Sequence, residues 1–275
     1  MSALPLIRIE DPSDPRIEGY RDVRDRDLTG RSDRFMAEGE VVLRVLASTA
    51  SRCEIESVLL AENRPQGLSD ILERLPAGTP VYIAAQAVLN QIAGFPLHRG
   101  ILAMGLKSAP GDLESLLSDL PAKAMVVLVC GVGNHDNIGG VFRNAAALGA
   151  SAVLLDRHCA DPFYRKAIRV SVGAVLRTPM IRNLSATDTV DALQAAGFTV
   201  LALTPGAARS LATVELNDRV AVVLGSEGPG LPAALIDRCT AAAIPMAGGF
   251  DSLNVATAGA IALERIRDRL GLETR

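Results

Sequence analysis

Five apolar runs in the second half of the chain limit its fold more than any other feature. They are "MVVLVCGV" (125–132), "AVLLD" (152–156), "FTVLALT" (198–204), "RVAVVLGS" (219–226) and "AAAIPM" (241–246). The runs are continuous rather than alternating, as strands are when helices cover both faces of a parallel sheet. Segments with helical apolar spacing separate them, at roughly 138–149, 162–170, 187–196, 231–238 and 254–270. The pattern predicts an α/β domain over residues 123–275, with ligands gathering at the carboxyl ends of the strands.

A smaller α/β unit is expected over residues 34–106. Apolar residues in "FMAEGEVVLRVLAST" have helical spacing, and "IESVLLAE", "TPVYIAA" and "RGILAMGL" then read as strands, with "LSDILERL" and "AVLNQIAG" as helices between them. Residues 107–122, "KSAPGDLESLLSDLPA", carry two prolines and no strand pattern, which marks a linker with room for one helical turn. Residues 1–33 alternate in charge and predict a solvated arm with one short helix.

Composition excludes some classes and leaves others open. At 275 residues and 49% hydrophobic, the chain can bury a substantial core. It has no long uncharged apolar run, and "MSALPLIRIEDPSDPR" places acids where a secretory signal is apolar, so a cytoplasmic protein without a membrane partner is expected. The four cysteines form no CxxC pair and read as reduced core thiols, without metal. A net charge of −3 neither favours nor excludes RNA. Arginine supplies 25 of the 28 basic residues, which suits phosphate recognition and equally fits a codon bias.

Three strand-end loops could carry chemistry. The first, "GVGNHDNIGGVFRNAAALGA", turns on glycines; Asp136 or Asn137 could cap the next helix, and Arg143 could fork an anion. In the second, "VLGSEGPGL", glycines surround Glu227 without the Gly-Lys-Ser/Thr of a triphosphate loop. In the third, "IPMAGGFDSLNVATAGAIAL", Ser252 or Asn254 could cap a helix whose Ala256, Gly259 and Ala260 permit close approach of another backbone.

In this order "NIGGVFRNA", "GSEGPGL" and "IPMAGGFDSLNVATAGAIA" resemble the three signature motifs of the SpoU, or TrmH-like, RNA 2'-O-ribose methyltransferases of the SPOUT superfamily. "FMAEGEVVLRVL" and "FPLHRGILAMG" resemble the small ribosomal-protein-like substrate domain that precedes the catalytic domain in many members. The resemblance implies a trefoil-knotted domain with a parallel sheet, a homodimer, S-adenosylmethionine as methyl donor, and rRNA or tRNA as partner. By position it implies reaction-centre roles for Asn137, Arg143, Glu227, Ser252 and Asn254. Cofactor contacts would fall on Leu203, Thr204, Gly225, Gly230, Ile244, Met246 and Leu253. The chain departs from the family in having "NHDN" where Asp-Pro often precedes the motif-one asparagine, and "HRG" at 98–100 where His-Gln-Gly is common.

A ribose 2'-hydroxyl must lose its proton as it attacks a methyl group, so such a site needs a base or an oxyanion stabiliser. The resemblance points to Arg143, whose guanidinium stays charged and so suits stabilisation better than proton removal. His135 beside the cap is a further acid or base candidate, and Tyr164, Arg165, Lys166 and Arg169 form a basic strip that either faces RNA or is simply solvated. Two rivals stand beside this reading. One is a catalytically silent RNA-binding protein of the same fold. The other is a Rossmann-type enzyme, against which Gly131 and Gly133 lack a third glycine in register.

Overall fold

Hydrogen bonding divides the strands into two separate sheets in the computed structural model, which describes residues 5–21, 33–248 and 251–272. The chain splits into two units, Met1–Ser108 with Asp161–Arg177, and Ala109–Ala160 with Thr178–Arg275. Among the described residues no helix is long and apolar enough to cross a membrane.

The first unit contains β1 (Leu6–Ile9), β2 (Arg34–Glu38), α1 (Glu40–Leu46), β3 (Glu54–Ala61), α2 (Ser69–Leu72), β4 (Val81–Ala84), α3 (Gln86–Ala93) and β5 (Ile101–Leu106). Its sheet runs β1-β4-β3-β5-β2, with β1, β4 and β3 parallel and β5 antiparallel to both β3 and β2. Two parts differ from the sequence reading. Residues 5–21 are not a solvated arm: β1 pairs along β4, and Ile17 and Tyr20 are buried in the same core as Leu59 and Leu102. The rest of the expected arm, residues 1–4 and 22–32, lies outside the described residues. Residues 34–38 form a strand where helical spacing suggested a helix, because Gly39, at φ 90°, breaks the chain before α1.

Helix α6 (Arg165–Val170) also belongs to the first unit, although it follows the first strands of the second sheet in sequence. Buried Glu38 explains this. A carboxylate in the interior needs a charged partner, and Arg165 supplies one at 2.6 Å while stacking 4.7 Å from the Phe95 ring centre. Phe163 packs against Phe35 with ring centres 5.3 Å apart, and Lys107 pairs with Asp161 at 3.5 Å. Arg165 of the basic strip is therefore engaged within its own unit, whereas Arg169 stays half exposed and 3.8 Å from Glu38.

The second unit contains α4 (Leu113–Asp119), β6 (Ala124–Val129), α5 (His135–Ala147), β7 (Ala152–Asp156), β8 (Met180–Leu184), α7 (Ala186–Ala195), β9 (Thr199–Leu203), β10 (Arg219–Leu224), α8 (Ala233–Ile236), β11 (Thr240–Ala242) and α9 (Val255–Leu270). All six strands are parallel, in the order β11-β9-β10-β6-β7-β8. One face, through Val126, Leu128, Ala221 and Val223, packs on Leu117, Val190, Leu193 and Leu235 from α4, α7 and α8. Residues alternate across a strand, so Leu224 points to the other face, where Gly259 of α9 meets it. Leu117 places α4 in this core, so residues 109–119 are part of the domain rather than only a linker. Strand β8 was not foreseen, because "MIRNL" mixes polar and apolar residues on a sheet edge.

The order of strands reverses between β10 and β6, which opens a crevice at their carboxyl ends. Beyond β11, Ala243 donates to the Arg209 carbonyl and accepts from the Leu211 amide, while Thr204 donates to Ala242. The segment after β9 therefore flanks the end of β11 on two sides. Arg269 near the end of α9 donates to the carbonyls of Leu211 and Val214 and ties the last helix to that same segment.

Packing in the first unit leaves no room at Gly105, where an added Cβ would lie 2.2 Å from Cζ of buried Phe35. Gly105→Ala is expected to destabilise the chain by about 1–3 kcal/mol through overpacking, read as a lower urea midpoint; an unchanged midpoint would mean that the ring can move aside.

Candidate active site

Three strand-end loops meet through two asparagines and one carboxylate. Asn254 is the N-cap of α9: its Oδ1 accepts from the amides of Ala256 at 3.0 Å and Thr257 at 3.3 Å. Its Nδ2 is thereby turned toward the other loops, donating to Asn137 Oδ1 at 2.8 Å and reaching Glu227 Oε1 at 3.4 Å. Asn137, buried in the first turn of α5, donates its own Nδ2 to the same Glu227 oxygen at 2.5 Å. An amide can serve here because it accepts at one atom and donates at another, whereas an ionised carboxylate only accepts. Glu227 is held at Oε1 by two donors, and Oε2 takes no hydrogen bond from a described residue.

Helix α5 starts at His135, a few residues earlier than the sequence suggested. Asn134, not Asp136 or Asn137, is its cap, accepting from the amides of both of those residues. This leaves the Asn137 side chain available for Glu227. Helices α5 and α9 come close because Gly140 has no Cβ; an added one would lie 2.8 Å from Cβ of Ala256. Asn144 of α5 also donates to the Ala256 carbonyl at 2.8 Å.

The loop after β10 is folded back on itself. Gly230 donates to the Ser226 carbonyl, and an added Cβ at Gly225 would lie 2.5 Å from the Gly230 carbonyl carbon and 2.6 Å from the Leu231 nitrogen. Both clashes are with backbone, so glycine alone fits at 225. Beside this loop lies a cavity of about 430 Å³. Leu203 and Thr204 line it from the end of β9, Gly225, Glu227 and Gly230 from the loop after β10, and Ile244 and Met246 from the segment after β11. Ser252, Leu253 and Asn254 complete the wall ahead of α9. Leu253 is 40% exposed, an apolar side chain left uncovered at the mouth of a cavity. Gly249 and Phe250 of the "PMAGGF" turn lie outside the described residues.

The positions expected at the reaction centre thus divide. Glu227, Ser252 and Asn254 line the cavity, Asn137 touches it through Glu227, and Arg143 lies apart. Arg143 follows Asn137 by six residues on α5, which turns it to another side of the helix. It is exposed and pairs with no described residue. Pro205 and Ala258 also line the cavity without having been singled out, since neither carries a polar signal.

Residues 124–264 match the SpoU rRNA Methylase family model. An uncharacterized tRNA/rRNA methyltransferase of Mycobacterium tuberculosis is 40% identical over 270 residues, covering 94% of this chain and 90% of that protein. The 23S rRNA (guanosine-2'-O-)-methyltransferase RlmB of Coxiella burnetii is 32% identical over 219 residues, covering 78% of this chain and 87% of that one. Among solved structures, the AdoMet-bound rRNA methyltransferase from Sinorhizobium meliloti shares the fold with a TM-score of 0.81 at 24% identity, over 98% of this chain and 99% of that one.

The double use of Asn254 separates capping from cross-linking. Asn254→Ala is expected to lower unfolding stability by about 1 kcal/mol or somewhat more, and Asn254→Ser to recover most of that loss by restoring a cap without an amide donor. Equal urea midpoints for the two variants would show that the cap is not what stabilises the start of α9.

Proposed function

The chain belongs to the SpoU rRNA methylase family, and from that premise we propose that it transfers a methyl group from S-adenosylmethionine to a ribose 2'-hydroxyl of a structured rRNA or tRNA. The observation that carries this reading is the convergence of Asn137, Glu227 and Asn254 at one edge of the cavity.

The cavity fits the donor. Its size and its mixture of apolar walls with exposed loop backbone are those of a small-molecule site, and Gly225 lets the loop after β10 close against its own backbone. Leu203, Ile244, Met246 and Leu253 would hold the adenine between apolar surfaces, and the backbone at Thr204, Gly225 and Gly230 would meet its polar edge. S-adenosylmethionine, when bound, supplies an electrophilic methyl group. The protein's own part is to place the nucleophile in line and to accommodate the charge it develops. Glu227, fixed at Oε1, presents Oε2 as an acceptor for a ribose hydroxyl, with Ser252 beside it on the same wall. Arg143 stabilises the 2'-oxygen or an adjacent phosphate through its fork.

The exposed position of Arg143 supports a homodimer, in which the arginine of one copy completes the site of another. A trefoil knot is supported by the path of the chain: the segment between β9 and β10 flanks the end of β11 on two sides, and α9 then returns to pack under β10. The first unit, with residues 34–106 at its centre, is assigned as the RNA substrate domain, and residues 123–275, apart from the 161–177 that pack with the first unit, as the catalytic domain. The guanosine-2'-O activity in the name of the Coxiella relative supports ribose as the acceptor. The silent RNA-binding alternative expects a filled cavity or a lost polar cluster, and neither feature favours it here.

With tritiated S-adenosylmethionine and rRNA or tRNA lacking the modification, the wild type is expected to produce alkali-resistant labelled dinucleotides, the mark of a blocked 2'-oxygen. Arg143→Lys, which keeps charge but loses the fork, is expected to lower turnover by about 100-fold. Near-wild-type turnover of that variant would remove Arg143 from the reaction.

A further inference from the structure

Three strand ends meet at one edge of the first unit's sheet. The end of β2, the start of β5 and the end of β3 lie side by side there, with Glu38 opposite Leu102 and Leu60 opposite Ile101. The backbone closes tightly at this junction. Gly39, just past β2, donates to the Ile101 carbonyl, and Ala61, the last residue of β3, donates to the Gly100 carbonyl. Gly100 has a φ of 60°, and an added Cβ on it would lie 2.8 Å from Cβ of Ala61.

Arginines gather over the junction. The Arg99 side chain lies across Gly39, with a guanidinium nitrogen 3.0 Å from where a Cβ would stand, and Nε of Arg64 lies 3.6 Å from the corresponding point on Gly100. Arg165 and Arg169 reach the same edge from α6 through Glu38. The neighbouring acids already have cations of their own: Glu38 has Arg165, Glu62 has Arg8, and Glu40 has Arg44. Neither Arg99, which is exposed, nor Arg64, which is partly exposed, pairs with a described residue. The junction therefore carries unbalanced positive charge on a chain whose net charge is −3.

The chemistry of these groups indicates the partner. A guanidinium fork matches phosphate oxygens. Two unpaired forks over different strand ends suit successive phosphates of one polymer better than a single small anion. Guanidinium planes also support the unstacked bases of RNA loops.

We propose that this edge of the first unit grips the phosphate backbone of a looped RNA segment, with Arg64 and Arg99 each neutralising a phosphate. The choice of RNA rests on the methyltransferase reading, whereas the fit to a polyphosphate does not.

The test is filter binding of the full chain to unmodified 23S rRNA and tRNA transcripts across a salt series, with methyl transfer measured on the same RNAs. The double variant Arg64→Gln with Arg99→Gln is expected to bind the preferred RNA at least about tenfold more weakly, and to flatten the dependence of log Kd on log salt by about 1 to 2. It should raise KM for RNA more than it lowers kcat, and keep the wild-type urea midpoint and S-adenosylmethionine affinity. A control, Arg34→Gln with Arg44→Gln, removes the same charge from the same unit, at arginines paired with Glu56 and with Glu40 and Asp70. Its RNA affinity is expected to fall far less. No RNA binding by the wild type, an unchanged affinity and salt slope in the Arg64 and Arg99 variant, or an equal loss in the control would overturn the proposal. Methyl transfer by that variant with an unchanged KM would do so while leaving the methyltransferase reading intact. Binding that depends on Arg64 and Arg99 without methyl transfer to either RNA would instead refute that reading and leave this surface standing.

Discussion

The hydrogen bond from Asn254 to Asn137 is the constraint on which the site depends, because it joins segments 117 residues apart in the chain. Each of these asparagines uses both ends of its amide. Asn254 begins α9 with its oxygen and holds Asn137 and Glu227 with its nitrogen; Asn137 accepts that nitrogen and passes its own to Glu227. The start of one helix, the first turn of another and the loop after the central strand are thereby fixed together. Since each helix end would otherwise leave backbone amides unsatisfied, local folding and assembly of the site use the same side chains.

Close backbone approach is the second requirement. Gly140 lets α5 and α9 touch, Gly259 lets α9 lie on Leu224, and Gly225 lets the loop after β10 turn onto Gly230. These contacts hold the crevice walls near the point where the strand order reverses. The thiols nearby contribute packing rather than chemistry. Burial, with the Asp156 charge, pushes Cys159 up to about 12, and burial pushes Cys239 up to about 11, so both remain protonated at neutral pH.

Much of the fold was legible in the sequence because the parallel strands are buried on both faces and read as uninterrupted apolar runs. The edge strand β8 did not have that property and went unnoticed. The N-terminal stretch was misread for a related reason: among its described residues only Ile9, Ile17 and Tyr20 are buried, too few to show a period among so many charges. The packing of residues 161–177 with the first unit rests on contacts distant in sequence, Arg165 with Glu38 and Phe163 with Phe35 among them, which no local pattern can reveal. Of the site, the lining positions could be found because three short motifs occur together in order. The Asn134 cap was hidden among neighbouring residues that can also cap, and the exposed place of Arg143 depends on which way α5 is turned.

The central claim is that the cavity between the ends of β9 and β10 and the start of α9 is an S-adenosylmethionine site built on close backbone contact. The most direct measurement is a calorimetric titration of the wild type and Gly225→Ala with S-adenosylmethionine. Saturable binding by the wild type, and its loss in a folded Gly225→Ala whose added methyl collides with the Gly230 backbone, is the expected result. A folded wild type that shows no binding, or a variant that binds equally well, would contradict the account.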